Sequence, residues 1–302
     1  MKNAVANKMI RVDQPLALRL DRAFKSAWRS YCQAFKSCQK KLSRKTVHQL
    51  RVETRRLLAL VDLFEPLLDK DRADKVSRLF KPPFKSSGRV RDMQVISGNV
   101  EGRLRRFPEA KRFSKELLRR KKRLCRRLEQ RLCRTRLKPL KNGMNALRKE
   151  LCAAVKPARG HPDAGVRLRK GVDRTFANVV ALRRHISPAR PSAIHRTRIA
   201  LKKFRYMAEQ LQTLMPGVAG RLPGKLRGYQ KLMGDIQDCE TLLAALDKYL
   251  REDKDEIRRL HKFRASVKRE HAARMARYLR RADELFAFWK PVAKSPSART
   301  RH

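Results

Sequence analysis

The chain has 302 residues, with 78 Lys+Arg against 28 Asp+Glu, a formal net charge of +50. Self-repulsion of that size weakens a compact fold unless an anionic partner offsets it; yet hydrophobic residues make up 41% and recur at helical spacing, which excludes a disordered chain over most of the length. No uninterrupted apolar run is long enough to span a bilayer, no secretory segment opens the chain, and the six cysteines lack C-x-x-C or zinc-ligand spacing, so a metal module is excluded and free thiols in a reducing cytoplasm are expected.

In chain order, a polar, basic arm over 1–15 leads into an amphipathic helix from Leu16 to about Gln39, with Leu20, Phe24, Tyr31 and Phe35 on one face. Ser43 is the expected N-cap of a second helix that Pro66 interrupts. Asp69 or Asp71 starts a third, which Pro82-Pro83 should kink or end, and Gly88 leads into another short helix over 89–96. A long basic helix is expected from Glu109 to about Leu137, then a segment carrying Leu140, Met144, Leu147 and Leu151. Residues 156–165 hold two prolines and two glycines and form the best boundary in the chain. Beyond it come a helix over about 166–185, a Pro188/Pro191 break, and a helix to Met215. A Gly/Pro turn around Gly220–Gly224 precedes Leu226–Leu232, and a further helix follows Gly234. Last come a long basic helix over about 253–288 and a disordered tail over 291–302. No segment alternates with period two. The expectation is an all-α fold of two homologous helical bundles, 16–155 and 166–290, of about four helices each, docked with approximate twofold symmetry.

The homology rests on a stretch that occurs twice. His48, Arg51, Val52 and Arg55-Arg56 line up with His195, Arg198, Ile199 and Lys202-Lys203. On a helix, Val47, Leu50, Thr54, Leu57 and Val61 form the buried stripe, and Ile194, Thr197, Leu201 and Phe204 do so in the second copy. Beside each stripe runs a row of cations: Arg44, His48, Arg51 and Arg55 in the first, His195, Arg198, Lys202 and Arg205 in the second. Neighbours in a row stand roughly 4.5–6 Å apart along the axis and repel by about 3 kcal/mol per pair at an effective dielectric near ~20. Such rows are tolerable when solvated or matched by anions. The histidines lack a carboxylate cluster or metal-ligand spacing, so they read as phosphate contacts rather than catalysts. Gly88-Arg89-Val90-Arg91-Asp92 and Gly234-Asp235-Ile236-Gln237-Asp238 also correspond, and each aspartate reads as a helix cap or an ion partner for neighbouring cations.

These motifs resemble the CHAD family, the conserved histidine α-helical domain, over about Leu16 to Phe288. The resemblance implies two four-helix bundles about a pseudo-twofold axis, with a basic central groove or pore that binds inorganic polyphosphate. It implies association with polyphosphate granules, or in some members polyhydroxyalkanoate granules. No glutamate-rich strand pattern of the CYTH kind that accompanies many members is found. Pro82-Pro83 and Gln237, where arginine is expected, depart from the family pattern. The polyphosphate contacts so implied are Arg44, His48, Arg51, Arg55 and Arg56, with His195, Arg198, Lys202, Lys203 and Arg205. No enzyme activity, cofactor, metal or membrane insertion is expected. Nucleic acid is the rival partner, bound without specificity at low salt; aromatic residues, at 6%, leave few platforms for stacking bases.

Overall fold

A computed structural model describes residues 15–155, 164–186, 192–215, 222, 224–251 and 254–290. The expected basic arm up to residue 14, the Pro/Gly-rich linker up to residue 163, the Pro188/Pro191 break, most of the Gly220–Gly224 turn and the C-terminal tail lie outside them; Ala164 and Gly165, expected in the linker, instead begin a helix. Among the described residues every regular element is helical: α1 Leu16–Lys40, α2 Arg44–Phe64, α3 Lys70–Glu101, α4 Lys111–Arg134, α5 Leu137–Ala154, α6 Ala164–Arg184, α7 Ser192–Leu214, α8 Lys225–Leu250, α9 Lys254–Arg259 and α10 His261–Leu279, with short 3-10 turns between or after them. None of these helices is long and apolar enough to cross a membrane.

Local chemistry accounts for several boundaries. Ser43 and Thr46 form a reciprocal capping box at the start of α2: the Thr46 amide donates to Ser43 Oγ at 3.1 Å, and the Ser43 amide to Thr46 Oγ1 at 2.9 Å. Asp69 caps α3 by accepting from the Arg72 amide at 2.8 Å. Pro66 follows α2 in a 3-10 turn, as the fixed proline φ favours.

Three expectations about continuity are corrected. First, α3 is one helix through Pro82, Pro83 and Gly88. The prolines deprive the Arg78 and Leu79 carbonyls of their helical donors, at a cost of about 3 kcal/mol for an interior proline. The buried series Val76, Phe80, Pro83, Ser87 and Val90 nevertheless passes through the pair at spacings of three and four without a slip. Phe80 meets Tyr31 edge-on at 5.1 Å, and burying such side chains contributes about 1.5–3 kcal/mol each. Packing therefore outweighs propensity. Second, α8 is likewise one helix through Gly228 and Gly234.

Third, the expected helix over 253–288 is broken. Leu260, at φ −93° and ψ 6°, separates α9 from α10 while its side chain stays fully buried. After Leu279 the chain turns into a 3-10 segment, Ala282–Ala287. There the Ala282 carbonyl accepts from Tyr229 Oη at 2.8 Å and Arg183 Nε at 3.1 Å, so tertiary donors engage an oxygen that an α-helix would use internally.

The apolar side chains form two clusters. The larger joins α1, α2, α5, α6, α7, the first parts of α3 and α8, Leu128 and Leu132 near the end of α4, Tyr278 at the end of α10, and Ala282, Leu285, Phe288 and Trp289 after it. The second joins Ile96 and Val100 at the end of α3 and Phe113 and Leu117 of α4 to Leu242 and Leu246 of α8 and Phe263 and Val267 of α10. Phe107 and Phe263 make an edge contact at 5.5 Å within it. Both clusters draw on residues from either side of the 156–165 boundary. Helices α3 and α8 run from one cluster into the other, and Arg91-Asp92 and Gln237-Asp238 fall on the stretches between.

Replacing Pro82, which is exposed, by alanine restores an amide donor for Arg78 without removing a buried group. Pro82→Ala should raise stability by about 1–3 kcal/mol, read as a higher midpoint in urea at an unchanged slope.

Candidate anion-binding site

The two repeated helices dock as their stripes require. Val47, Leu50, Thr54, Leu57 and Val61 are all buried, as are Ile194, Thr197, Leu201 and Phe204. The two threonines satisfy their hydroxyls on their own helices, Thr54 to the Leu50 carbonyl at 2.7 Å and Thr197 to Ala193 at 2.8 Å. With the stripes sunk, the cation rows lie on the shoulder of each helix. The exposure varies along them: His48 and His195 are exposed, whereas Arg51, Arg55, Arg198, Lys202 and Arg205 are partly covered.

The repeated glycines have a steric role. Gly88 lies under Arg51, where a Cβ would stand 2.7 Å from Nη1, and Gly234 lies under Arg198, where a Cβ would stand 3.3 Å from Nη2. Each glycine lets a guanidinium lie against the backbone of the neighbouring helix. Arg51 also donates through Nη1 to the Phe84 carbonyl at 3.0 Å. Its guanidinium sits over the Phe84 ring at 4.6 Å, with that of Arg55 at 5.3 Å over the same ring. Cation–π attraction holds the two like charges side by side.

Lys202 is the focus of the cluster. Burial first, then Arg198, Arg55, Arg51 and Arg205, push its ammonium down to about 6. Cations from both repeats thus converge on one amine. Arg51 is drawn down to about 10 by burial and then by Arg55, and Arg55, Arg91 and Arg198 are lowered chiefly by burial. His48 is lowered by burial, then by Arg91, Arg55, Lys202 and Arg51, which favours its neutral form. The buried Nε of Arg198 has no hydrogen-bond partner among the described residues, and that of Arg205 has only an ion-pair contact with Glu209 Oε1 at 3.5 Å. Asp92 acts through space on Arg51, Arg55, Arg91 and Arg198, and Asp238 on Arg91 and Arg198. Both aspartates are interior to α3 and α8, so they cap nothing, and the ion-partner reading is the one their position allows.

The expected site residues do not all meet. His48, Arg55, Arg56, Lys202 and Arg205 line one open cleft of about 370 Å³. Arg51 and Arg198 are outside its lining, against their glycines. Arg44 is exposed, within 3.6 Å of the Cβ position of Gly98, and extends the row along α3. His195 is held through Nδ1 by Gln237 Oε1, so the residue that departs from the family pattern orients the second histidine. Lys203 is turned to Asp62 of α2 in a 3.1 Å ion pair. Arg56, though beside the cleft, pairs with Glu53 on its own helix at 3.0 Å. Sequence reasoning misses Phe84, Arg91, Glu209, Arg227 and Gln230 as site residues. Phe84, Gly88 and Arg91 are spaced i, i+4, i+7, a signal that reading a helix end at the proline pair conceals.

Together these features define an all-helical protein whose two repeated helices gather partly buried cations that outnumber the carboxylates beside them. A family model for the CHAD domain matches residues 22–247, and the chain belongs to the CHAD family. No curated protein matches it. The crystal structure of the CHAD domain from the plant Ricinus communis is similar, with a TM-score of 0.61 and 17% identity over 92% of each chain. PptA from Streptomyces chartreusis is similar at a TM-score of 0.60 and 16% identity, over 90% of this chain and 100% of that one. At these identities the likeness is one of fold.

Two predictions follow the geometry. Gly88→Ala should displace Arg51 and weaken anion binding by about ten-fold, with Gly234→Ala milder because its contact is looser. Neither should lower stability, since alanine is favoured over glycine inside a helix by about 1 kcal/mol; calorimetric binding beside urea unfolding separates the two effects. Lys202 sets a pH dependence. Its folded pKa, about 6, lies below the ordinary lysine value, so the unfolded chain binds the extra proton. Stability of the free protein therefore falls as pH drops through the window from the ordinary lysine range to about 6, and levels off below it. An anion favours the charged amine, so affinity should rise as pH is lowered from about 8 to about 6. Lys202→Met should flatten both dependences, raise the stability of the free protein at neutral pH and weaken anion binding.

Proposed function

We propose that the chain binds inorganic polyphosphate without catalysis, through a basic groove between two helical bundles related by a pseudo-twofold axis. The observation that carries this reading is the convergence of Arg55 and Arg56 of α2 with Lys202 and Arg205 of α7 on one open cleft, where burial and the surrounding arginines disfavour the charged form of Lys202. Such an arrangement is costly in the free protein and favourable when an anion occupies it. The membership in a family associated in general with polyphosphate binding supports the polymer as that anion.

The chemistry suits a linear polyanion. Arginine offers bidentate hydrogen bonds to phosphate oxygens, and lysine adds a compact charge. The unsatisfied Nε of Arg198 supplies a donor already desolvated. Asp92 and Asp238 act through space on the arginines and favour their charged forms. The histidines contribute hydrogen bonds. In the cell, this binding would recruit the protein to polyphosphate granules, with polyhydroxyalkanoate granules as the alternative address.

Nucleic acid shares the phosphate chemistry, and at a formal +50 the chain should bind it at low salt. Competition separates the two. Long-chain polyphosphate should displace single-stranded RNA at about 150 mM salt, and binding through six to ten phosphates should lose roughly 10³–10⁵ in affinity between about 50 and 200 mM. Reversing Arg51 and Arg198 together should weaken polyphosphate binding far more than reversing Lys2 and Arg299. RNA that resists displacement would reassign the partner; equal losses from the two double variants would reduce the binding to diffuse attraction.

A further inference from the structure

The repeat allows the cleft to be compared with its own counterpart, residue by residue. At an offset of 147, Arg56 corresponds to Lys203, Arg205 to Leu58 and Glu209 to Asp62; at 146, on α3 and α8, Arg227 corresponds to Lys81 and Gln230 to Phe84. If both sides of the cationic layer were alike, the Asp62–Lys203 pair would have a mate between Glu209 and Arg56.

That mate is not formed. Asp62 of α2 holds Lys203 of α7 at 3.1 Å, tying the two helices together on one side. On the other, Arg56 turns to Glu53 at 3.0 Å and Glu209 lies 3.5 Å from Arg205, each within its own helix. The cleft opens where the cross-helix tie is missing, and Arg56, Arg205, Glu209 and Arg227 are on its wall. The aromatic contacts differ as well. Phe84 lies over Arg51 and Arg55; on the open side Gln230 takes the matching place and donates to the Leu201 carbonyl at 3.1 Å, and the ring there, Tyr206, stacks on Arg205 at 4.7 Å in the cleft wall. Arg205, whose counterpart is Leu58, adds a guanidinium to the open side, with Glu209 3.5 Å from its Nε.

We propose that an extended polyanion enters the cationic layer from the side of Arg56, Arg205 and Arg227, while the Asp62–Lys203 pair and the Phe84 ring bar the opposite side. This rests on the polyphosphate reading and adds a direction to it. Cations at the mouth capture the chain by electrostatic steering, which acts on the association rate. Lys203, tied across to α2 by Asp62 and outside the cleft, takes no part in capture.

The test is stopped-flow association of long-chain polyphosphate, fluorescently labelled at one end, at about 150 mM salt. Two double variants remove equal charge at corresponding positions: Arg56→Gln with Arg227→Gln, and Lys203→Gln with Lys81→Gln. The first should slow association about ten-fold, the second by less than about two-fold. Arg227 is exposed, so Arg227→Gln alone preserves the comparison should the first double variant fold poorly. Equal slowing by the two pairs, or greater slowing by the second, overturns the one-sided entrance while leaving polyphosphate binding intact. Absence of binding by the unmodified protein removes the polyphosphate reading, and the entrance with it.

Discussion

Mutual repulsion among partly desolvated cations is the constraint that the rest of the structure serves. Arg51, Arg55, Arg198, Lys202 and Arg205 act on one another in a layer only partly open to solvent. Left to themselves they would turn outward into water. They are held in place by three means: two apolar stripes that fix the helices, glycines that admit the guanidiniums against a neighbouring backbone, and an aromatic ring that gives two of them a favourable surface. Asp92 and Asp238 temper the field without cancelling it. The core therefore stores a cost that an anion relieves, which makes binding and stability two readings of one interaction.

The position of this layer follows from the two long helices. α3 and α8 each bury one end in the larger apolar cluster and the other in the smaller, so their middle turns are carried across the space between. Arg91, Asp92 and Asp238 there face charge, while Val90 and Ile236 beside them stay in the larger cluster. This explains why short glycine-to-aspartate motifs lie in the centre of long helices instead of at their starts.

Much of this arrangement is legible in the amino-acid sequence. The stripes on α2 and α7 follow directly from apolar spacing, and Ser43 and Asp69 act as the caps their chemistry suggests. What is not legible depends on contacts between distant segments. Two prolines are a strong local signal for a break, and only the packing of Phe80 and Pro83 against other helices overrides it. With the helix cut there, Phe84 is detached from Gly88 and Arg91. The service Gly88 does for Arg51 involves a partner on another helix, which spacing along one stretch of chain does not reveal. Arg56 and Lys203 hold matching places in the repeat, yet one pairs within its helix and the other across to Asp62. Repetition of sequence does not impose equality of contacts.

The smaller apolar cluster has a consequence for how the chain acquires its structure during synthesis. Ile96, Val100, Phe107 and Phe113 come from early in the chain, whereas Leu246, Phe263 and Val267 come from its last third. An N-terminal segment leaving the ribosome lacks the apolar surfaces that these residues need until α10 has emerged. Until then a patch of aromatic and aliphatic side chains is exposed beside a strongly basic α4, and closure demands contacts of long sequence separation, which slows folding. The first repeat is thus no self-sufficient module. The ancestral half that the repetition implies would have had to find those surfaces on a second copy of itself.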